Sequence, residues 1–281
     1  MSVPAYETLE ELIRDVDCID VVTPTLSHFE VAKLAAQSRR HIFIEKPLTE
    51  TIDEAKRLQR LVQEAEITAQ VGHVERFNPA FRAAEKFLDR PMFIETHRLA
   101  QFNPRGTDVP VVLDLMIHDL DIILSVVKSN VKKVSASGVA VVSDSHDIAN
   151  ARVEFDNGCV ANITASRISL KNMRKTRFFQ KDAYISVDFL RKETEVFELE
   201  DIQGEPDPFD LVLDLGNNGP RKKILVDKPE IKESNAIRDE LISFHECITE
   251  GKDTPVTIDD GLNAMALAYR ILDEMSKVYL K

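Results

Sequence analysis

The sequence is short of four things, and each absence excludes a class of protein. It has three cysteines in 281 residues, Cys18, Cys159 and Cys247, far apart and without a Cys-x-x-Cys. So odd and scattered a set makes neither a disulfide framework nor a zinc site, and reduced, mostly buried thiols and no bound metal are expected. Long hydrophobic runs are missing. Stretches such as Cys18–Val22 and Ile42–Ile44 are far too short to span a bilayer, and the charged, proline-containing N-terminus does not read as a signal peptide. A cytoplasmic location without a membrane partner is expected. Positive charge is outnumbered, 36 Lys and Arg against 48 Asp and Glu, a formal net charge of −12. That balance argues against general affinity for nucleic acid phosphate, and no nucleic acid partner is expected. Glycine is scarce: there are nine, the first at Gly72, with no Gly-x-Gly anywhere. The turn that lets a backbone approach a dinucleotide pyrophosphate is therefore not in this sequence.

What is there is globular. With 43% hydrophobic content the chain can bury one large core or two ordinary ones. The first 75 residues alternate helical and strand patterns. Tyr6–Arg14 has apolar positions at helical spacing, Cys18–Val22 reads as a buried strand, and Ser27 is placed to cap a helix through Gln37. His41–Ile44 is the next strand, Thr49 or Thr51 starts a helix to about Glu64, and Ile67–Val71 is a third strand closed by Gly72. Strand, helix, strand, helix, strand with short links predicts right-handed parallel crossovers, part of a doubly wound sheet.

After Asn78 and Pro79 a helix reaches roughly Leu88, and then the pattern changes. Met92–Ala100 reads as a strand and Val112–Val127 as a long helix. The strand-like segments 131–142, 149–155, 160–166, 177–179, 183–189 and 195–199 follow. Asp156-Asn157-Gly158 predicts a tight primed hairpin turn, since Asn-Gly supplies positive φ. These strands imply an antiparallel sheet. Asp201–Pro220 reads as a loop, Lys222–Val226 as one more strand, and Asn235–Thr249 and Asp259–Val278 as closing helices. The expected division is 1–77 and 78–281, with the last helix packing back on the first domain.

In a parallel α/β sheet ligands sit beyond the carboxyl ends of the strands. Three such ends are polar here: Thr23 and Pro24 with His28 close behind, Glu45-Lys46-Pro47, and Gly72-His73 leading into Val74-Glu75-Arg76-Phe77-Asn78-Pro79. By that rule Thr23, Pro24, His28, Glu45 and Lys46 stand where a ligand is expected. A second constellation is Asp114-Leu115-Met116-Ile117-His118. Residues at i and i+4 share a helix face, so a carboxylate can orient an imidazole as an acid/base pair. The competing reading is a solvated acidic stripe, because Asp119 and Asp121 follow.

The order Thr-Pro-x-x-x-His, Glu-Lys-Pro, Gly-His-x-x-Arg-Phe-Asn-Pro, then Asp-x-x-x-His-Asp-x-Asp resembles the Gfo/Idh/MocA family of nicotinamide-dependent oxidoreductases. The resemblance runs from about Leu9 to the C-terminal helix and is strongest between Val21 and Leu124. It implies an α/β plus α+β fold, a Rossmann-type parallel sheet, here incomplete, followed by a domain with an open, mainly antiparallel sheet. It also implies NAD or NADP as cofactor, with Thr23, Pro24, His28, Glu45 and Lys46 as the cofactor-binding residues, Lys46 as the residue that hydrogen-bonds the reacting hydroxyl or carbonyl, and Asp114 with His118 as the acid/base pair, His118 the base. The segment 72–79 looks especially like members that oxidise the 3-hydroxyl of UDP-N-acetylglucosamine or related nucleotide sugars. Arg76, Asn78, His97, Arg98 and Arg105 are the expected substrate-binding residues, because arginine suits phosphate and the others suit hydroxyls. The family's open sheet commonly pairs between subunits, and apolar residues from Ala149 to Ser166 on an exposed sheet predict a homo-oligomer, dimer or tetramer.

Family members carry a first strand and a Gly-x-Gly-x-x-Gly turn ahead of the first element seen here, so the chain as written is expected to bind NAD(P) poorly. A longer reading frame with Met1 internal, a shortened protein that binds a sugar ligand or partner without redox chemistry, and an excised piece each account for this.

Overall fold

A computed structural model describes residues 4–103, 109–214, 216 and 221–278. The chain parts into two units, Met1–Phe77 with Asn235–Tyr269, and Asn78–Ser234 with Arg270–Lys281. The sequence reading gives 78–281 to one domain; residues 235–269 belong instead to the first unit, whose sheet supplies the apolar cover their helices need.

The first unit is built on three parallel strands in the order β1 (Cys18–Val21), β2 (His41–Glu45), β3 (Ala69–Gly72). Between them run α2 (Thr25–Gln37) and α3 (Ile52–Ala65), after α1 (Leu9–Asp15). Thr8 with Glu11 and Thr51 with Glu54 form capping boxes that satisfy the first N–H groups of α1 and α3. Ser27 caps nothing: α2 starts two residues earlier, after Pro24, and the Ser27 N–H bonds the Pro24 carbonyl at 2.8 Å.

Parallel register puts Asp20 beside Phe43 and Phe43 beside Gln70, and Glu45 beside Gly72. Alternation along the strands sends Asp20, Phe43, Glu45 and Gln70 to one face, and the buried Ile19, Val21, Ile42, Ile44 and Val71 to the other. Helix α6 (Ala236–Glu250) covers the first face. Phe244 meets Phe43 edge-on at 5.8 Å, and Nε2 of Gln70 donates to the Glu240 carbonyl at 3.2 Å. On the second face α7 (Ile258–Val278) approaches so closely that a Cβ on Gly261 would lie 2.9 Å from Cγ2 of Val71. The outer edge of β3 is closed by Val256, whose carbonyl accepts from the Val71 N–H at 3.1 Å.

The second unit carries a nine-stranded sheet. Its strands are β4 (Phe93–Leu99), β5 (Val131–Val139), β6 (Ile148–Phe155), β7 (Val160–Ser166), β8 (Met173–Gln180), β9 (Ala183–Asp188), β10 (Glu193–Asp201), β11 (Val212–Asp214) and β12 (Arg221–Asp227). The order is β11-β12-β10-β9-β8-β4-β7-β6-β5, antiparallel throughout except for β4 beside β7. The helical elements of this unit include α4 (Pro79–Glu85) and α5 (Ile117–Val126), the latter preceded by a π-helical turn at Val112–Met116.

Two expectations fail here. Ala149, Ala151, Val153, Phe155, Ala161, Ile163 and Ala165 are buried, and the alternate positions that reach the open face are polar, among them Asn150, Arg152, Glu154, Asn162 and Thr164. The open face is apolar elsewhere. Phe93, Phe179, Tyr184 and Phe197 stand in register across β4, β8, β9 and β10 with ring centroids 5.0 to 5.8 Å apart. The hairpin after β6 is not a primed turn: only Gly158 has positive φ, +88°, while Asn157 accepts the Cys159 N–H through its side chain at 3.0 Å. A Gly158 N–H to Phe155 carbonyl bond followed by a left-handed glycine gives a turn with a bulge. Among the described residues no helix is long and apolar enough to cross a membrane. No group of three His, Cys, Asp or Glu is placed to hold a metal ion among them either.

Candidate active site

The carboxyl ends of β1 and β2 are held together by one buried histidine. His28, 1% exposed on α2, places Nε2 2.8 Å from the Thr23 carbonyl and Nδ1 2.9 Å from the Pro47 carbonyl. A side chain with both nitrogens so engaged is a strut between the loops. Around it the exposed surface includes apolar side chains: Val22 and Leu26 are 67% and 71% exposed beside the exposed Thr23 and Pro24.

Glu45 and Lys46 are half-buried. The Glu45 side chain lies across β3, where Gly72 has no Cβ to obstruct it, and its carboxylate accepts a hydrogen bond from the Lys46 backbone N–H. Burial above all, and to a lesser extent the Asp20 charge, pushes the Glu45 carboxyl up; the Lys46 N–H and then the charges of Lys46 and His28 pull against that shift. The same face carries Glu240 from α6, which sequence reading missed because it lies 195 residues on from Glu45 with no motif around it.

In the second unit the acidic stripe after His118 is not solvated. Asp119 and Asp121 are 2% and 1% exposed, and Arg98 of β4 grips Asp119 with Nε at 2.8 Å and Nη2 at 2.9 Å. Asp114 and His118 are half-buried, and four residues is close to one turn in either an α or a π segment, so both project from one side. The Asp114 N–H bonds the Pro110 carbonyl at 3.0 Å, and Arg167, 5% exposed, donates to the Val109 carbonyl just ahead of that turn.

Three of the expected substrate ligands, Arg76, Asn78 and Arg98, have protein partners in the structure. Arg76 lies 3.8 Å from Asp260 as an ion pair, and Asn78 caps α4 through Oδ1 and donates from Nδ2 to the Phe189 carbonyl. Arg98 is committed to Asp119, while its strand neighbour His97 points to the opposite face of the sheet, away from α5. Arg105 lies outside the described residues.

Known proteins resemble this chain in sequence and fold. Residues 1–73 match the family model of the oxidoreductase family with an NAD-binding Rossmann fold, and residues 82–185 match the Gfo/Idh/MocA C-terminal domain. A UDP-N-acetylglucosamine 3-dehydrogenase from Acidithiobacillus ferrooxidans is 40% identical over 194 residues, 69% of this chain and 62% of that relative. Its crystal structure superposes with a TM-score of 0.86 at 31% identity, covering 96% of this chain and 82% of the other. A scyllo-inositol 2-dehydrogenase (NAD(+)) from Bacillus subtilis is 30% identical over 179 residues, 58% of this chain and 52% of the relative.

Proposed function

The chain belongs to the Gfo/Idh/MocA oxidoreductase family, and on that premise we propose that it serves an NAD(P)-dependent oxidation of a secondary hydroxyl on a nucleotide sugar, the 3-hydroxyl of a UDP-N-acetylhexosamine. The observation that carries the reading is the Glu45–Lys46 arrangement at the carboxyl end of β2, where a carboxylate accepts from the backbone N–H of the lysine. The 40% identity to a UDP-N-acetylglucosamine 3-dehydrogenase favours a nucleotide sugar over an inositol.

We assign the nicotinamide end of the cofactor to the carboxyl ends of β1 and β2. Exposed apolar Val22 and Leu26 offer a surface to a flat ring, and Thr23, Pro24 and Lys46 stand at the strand ends. The sequence contains no glycine turn for the pyrophosphate. When bound there, the cofactor would supply the hydride acceptor for the carbinol carbon. The residues do the rest. The Lys46 ammonium stabilises negative charge developing on the substrate oxygen, His118 takes the hydroxyl proton, and Asp114 orients the imidazole and stabilises its charged form. We assign self-association to the half-exposed aromatic row of Phe93, Phe179, Tyr184 and Phe197; a monomer in sedimentation at micromolar concentration contradicts that assignment.

The test is a substrate panel. The protein is mixed with NAD+ or NADP+ and either UDP-N-acetylglucosamine or myo-inositol, and reduced nicotinamide is followed by absorbance. Faster turnover of the nucleotide sugar is expected. Turnover of inositol alone overturns the substrate, and UDP-N-acetylglucosamine binding by calorimetry without reduction of either cofactor overturns the oxidation.

A further inference from the structure

The face of the parallel sheet under α6 holds a carboxyl cluster that the proposed chemistry does not use. Asp20 from β1, Glu45 from β2 and Glu240 from α6 share that face, with Gln70 of β3 among them. Glu240 is 1% exposed and its Oε2 has no hydrogen-bond partner; the same holds for Oε1 of Gln70, which has no exposed surface. An ionised carboxylate only accepts, and acidic neighbours give it nothing to accept from. Burial first, then the fields of Glu45 and Asp20, push the Glu240 carboxyl up to about 8. Carrying a proton at neutral pH, it is a donor among acceptors.

From Glu240 the structure leads to Lys46. The field of Glu45 is the largest charge effect on Glu240, and the Glu45 carboxylate accepts the Lys46 backbone N–H. Gly72 keeps the path open, since a Cβ there would lie 3.0 Å from Cδ and Oε2 of Glu45. The charged groups around Glu240 are Asp20 from β1 and Glu45 from β2, with Lys46 and His28 acting on Glu45. Helix α6 also packs on the 3-10 turn Val74–Phe77, which carries Glu75 and Arg76, the latter paired with Asp260.

We propose that Glu240 is a positioning residue: while uncharged it leaves Glu45 in place beside α6, and Glu45 in turn fixes the backbone of Lys46. The inference rests on the assignment of Lys46 to the proposed oxidation. On ionisation of Glu240 a third negative charge joins the cluster, the Glu45 side chain is repelled, and Lys46 loses its fixed position. Turnover therefore falls on the alkaline side through kcat, with KM little changed.

The experiment compares wild type, Glu240→Gln and Glu240→Ala, measuring kcat and KM against pH with NAD(P)+ and UDP-N-acetylglucosamine, and Tm over the same range. Folded Glu240 holds its proton more tightly than the unfolded chain, so its ionisation removes stability progressively as pH rises from about 5 to about 8. Gln is a neutral isostere that cannot ionise. It should keep kcat at pH 7 within about threefold, lose the alkaline fall in kcat and flatten the fall in Tm, while Ala lowers kcat about tenfold at neutral pH. An alkaline fall in kcat unchanged in Glu240→Gln overturns the proposal, whatever Tm does. Full activity in Lys46→Ala instead overturns the catalytic reading, and a flattened Tm profile in Glu240→Gln then still supports the proton on Glu240 and its hold on the cluster.

Discussion

Gly72 makes room for the carboxyl group of Glu45: a Cβ at residue 72 would stand 3.0 Å from both Cδ and Oε2 of that side chain. Gly72→Ala therefore forces the carboxylate, and with it the Lys46 N–H it holds, to shift by about a few tenths of an ångström. A displacement of about 1 Å at a reacting group costs on the order of 100-fold, so this smaller one should cost roughly 3- to 10-fold in kcat. Stability should change by no more than about 1 kcal/mol. Steady-state kinetics beside a thermal melt check the pair; a variant with wild-type kcat contradicts the role given to Glu45.

Arg98 and Asp119 form a two-pronged buried ion pair, both about 2% exposed, one residue along from His118. Removing one partner leaves a buried charge alone, so Arg98→Met should destabilise by about 3 to 5 kcal/mol. Replacing both, Arg98→Met with Asp119→Leu, should recover much of that loss. Urea unfolding of the two variants decides it, and a double variant less stable than the single one counts against the account.

Asp147, at the foot of the loop between β5 and β6, is fully buried and ionised. Burial opposes its charge, but the N–H groups of Val142, Val141 and Ser143 and the Ser143 hydroxyl outweigh that and hold the carboxyl well below the ordinary carboxylate range. A depressed folded value means that the stability it contributes is present above the unfolded value, about 3.8, and is lost as pH falls further. Asp147→Asn should be less stable than wild type at pH 7, and the gap should close as pH drops below about 4. A gap that stays constant with pH shows that the carboxylate charge is not the stabilising element.

Much of the architecture is legible because it is periodic. Hydrophobic alternation finds β1, β2, β6 and β7 almost to the residue, and Thr51 with Glu54 marks the start of α3. What fails depends on contacts distant in sequence. Nothing local says that Arg98 will be spent on Asp119, or that Phe244 will bring α6 against Phe43 and so deliver Glu240 to the sheet face that carries Glu45. The π turn at Val112–Met116 is equally silent, since its residues are ordinary helix formers and five-residue hydrogen bonding leaves no periodic mark in so short a stretch. Residue type is equally silent about the partners that His28, Asn78 and Arg98 find, which are set by packing.

The most direct measurement is reduction of NAD(P)+ by UDP-N-acetylglucosamine with wild type and Lys46→Ala side by side, each checked for an unchanged Tm. If the lysine supplies the charge that stabilises the forming alkoxide, the variant loses about 3 kcal/mol of transition-state stabilisation, roughly 100-fold in kcat. Equal turnover by the two proteins contradicts the account.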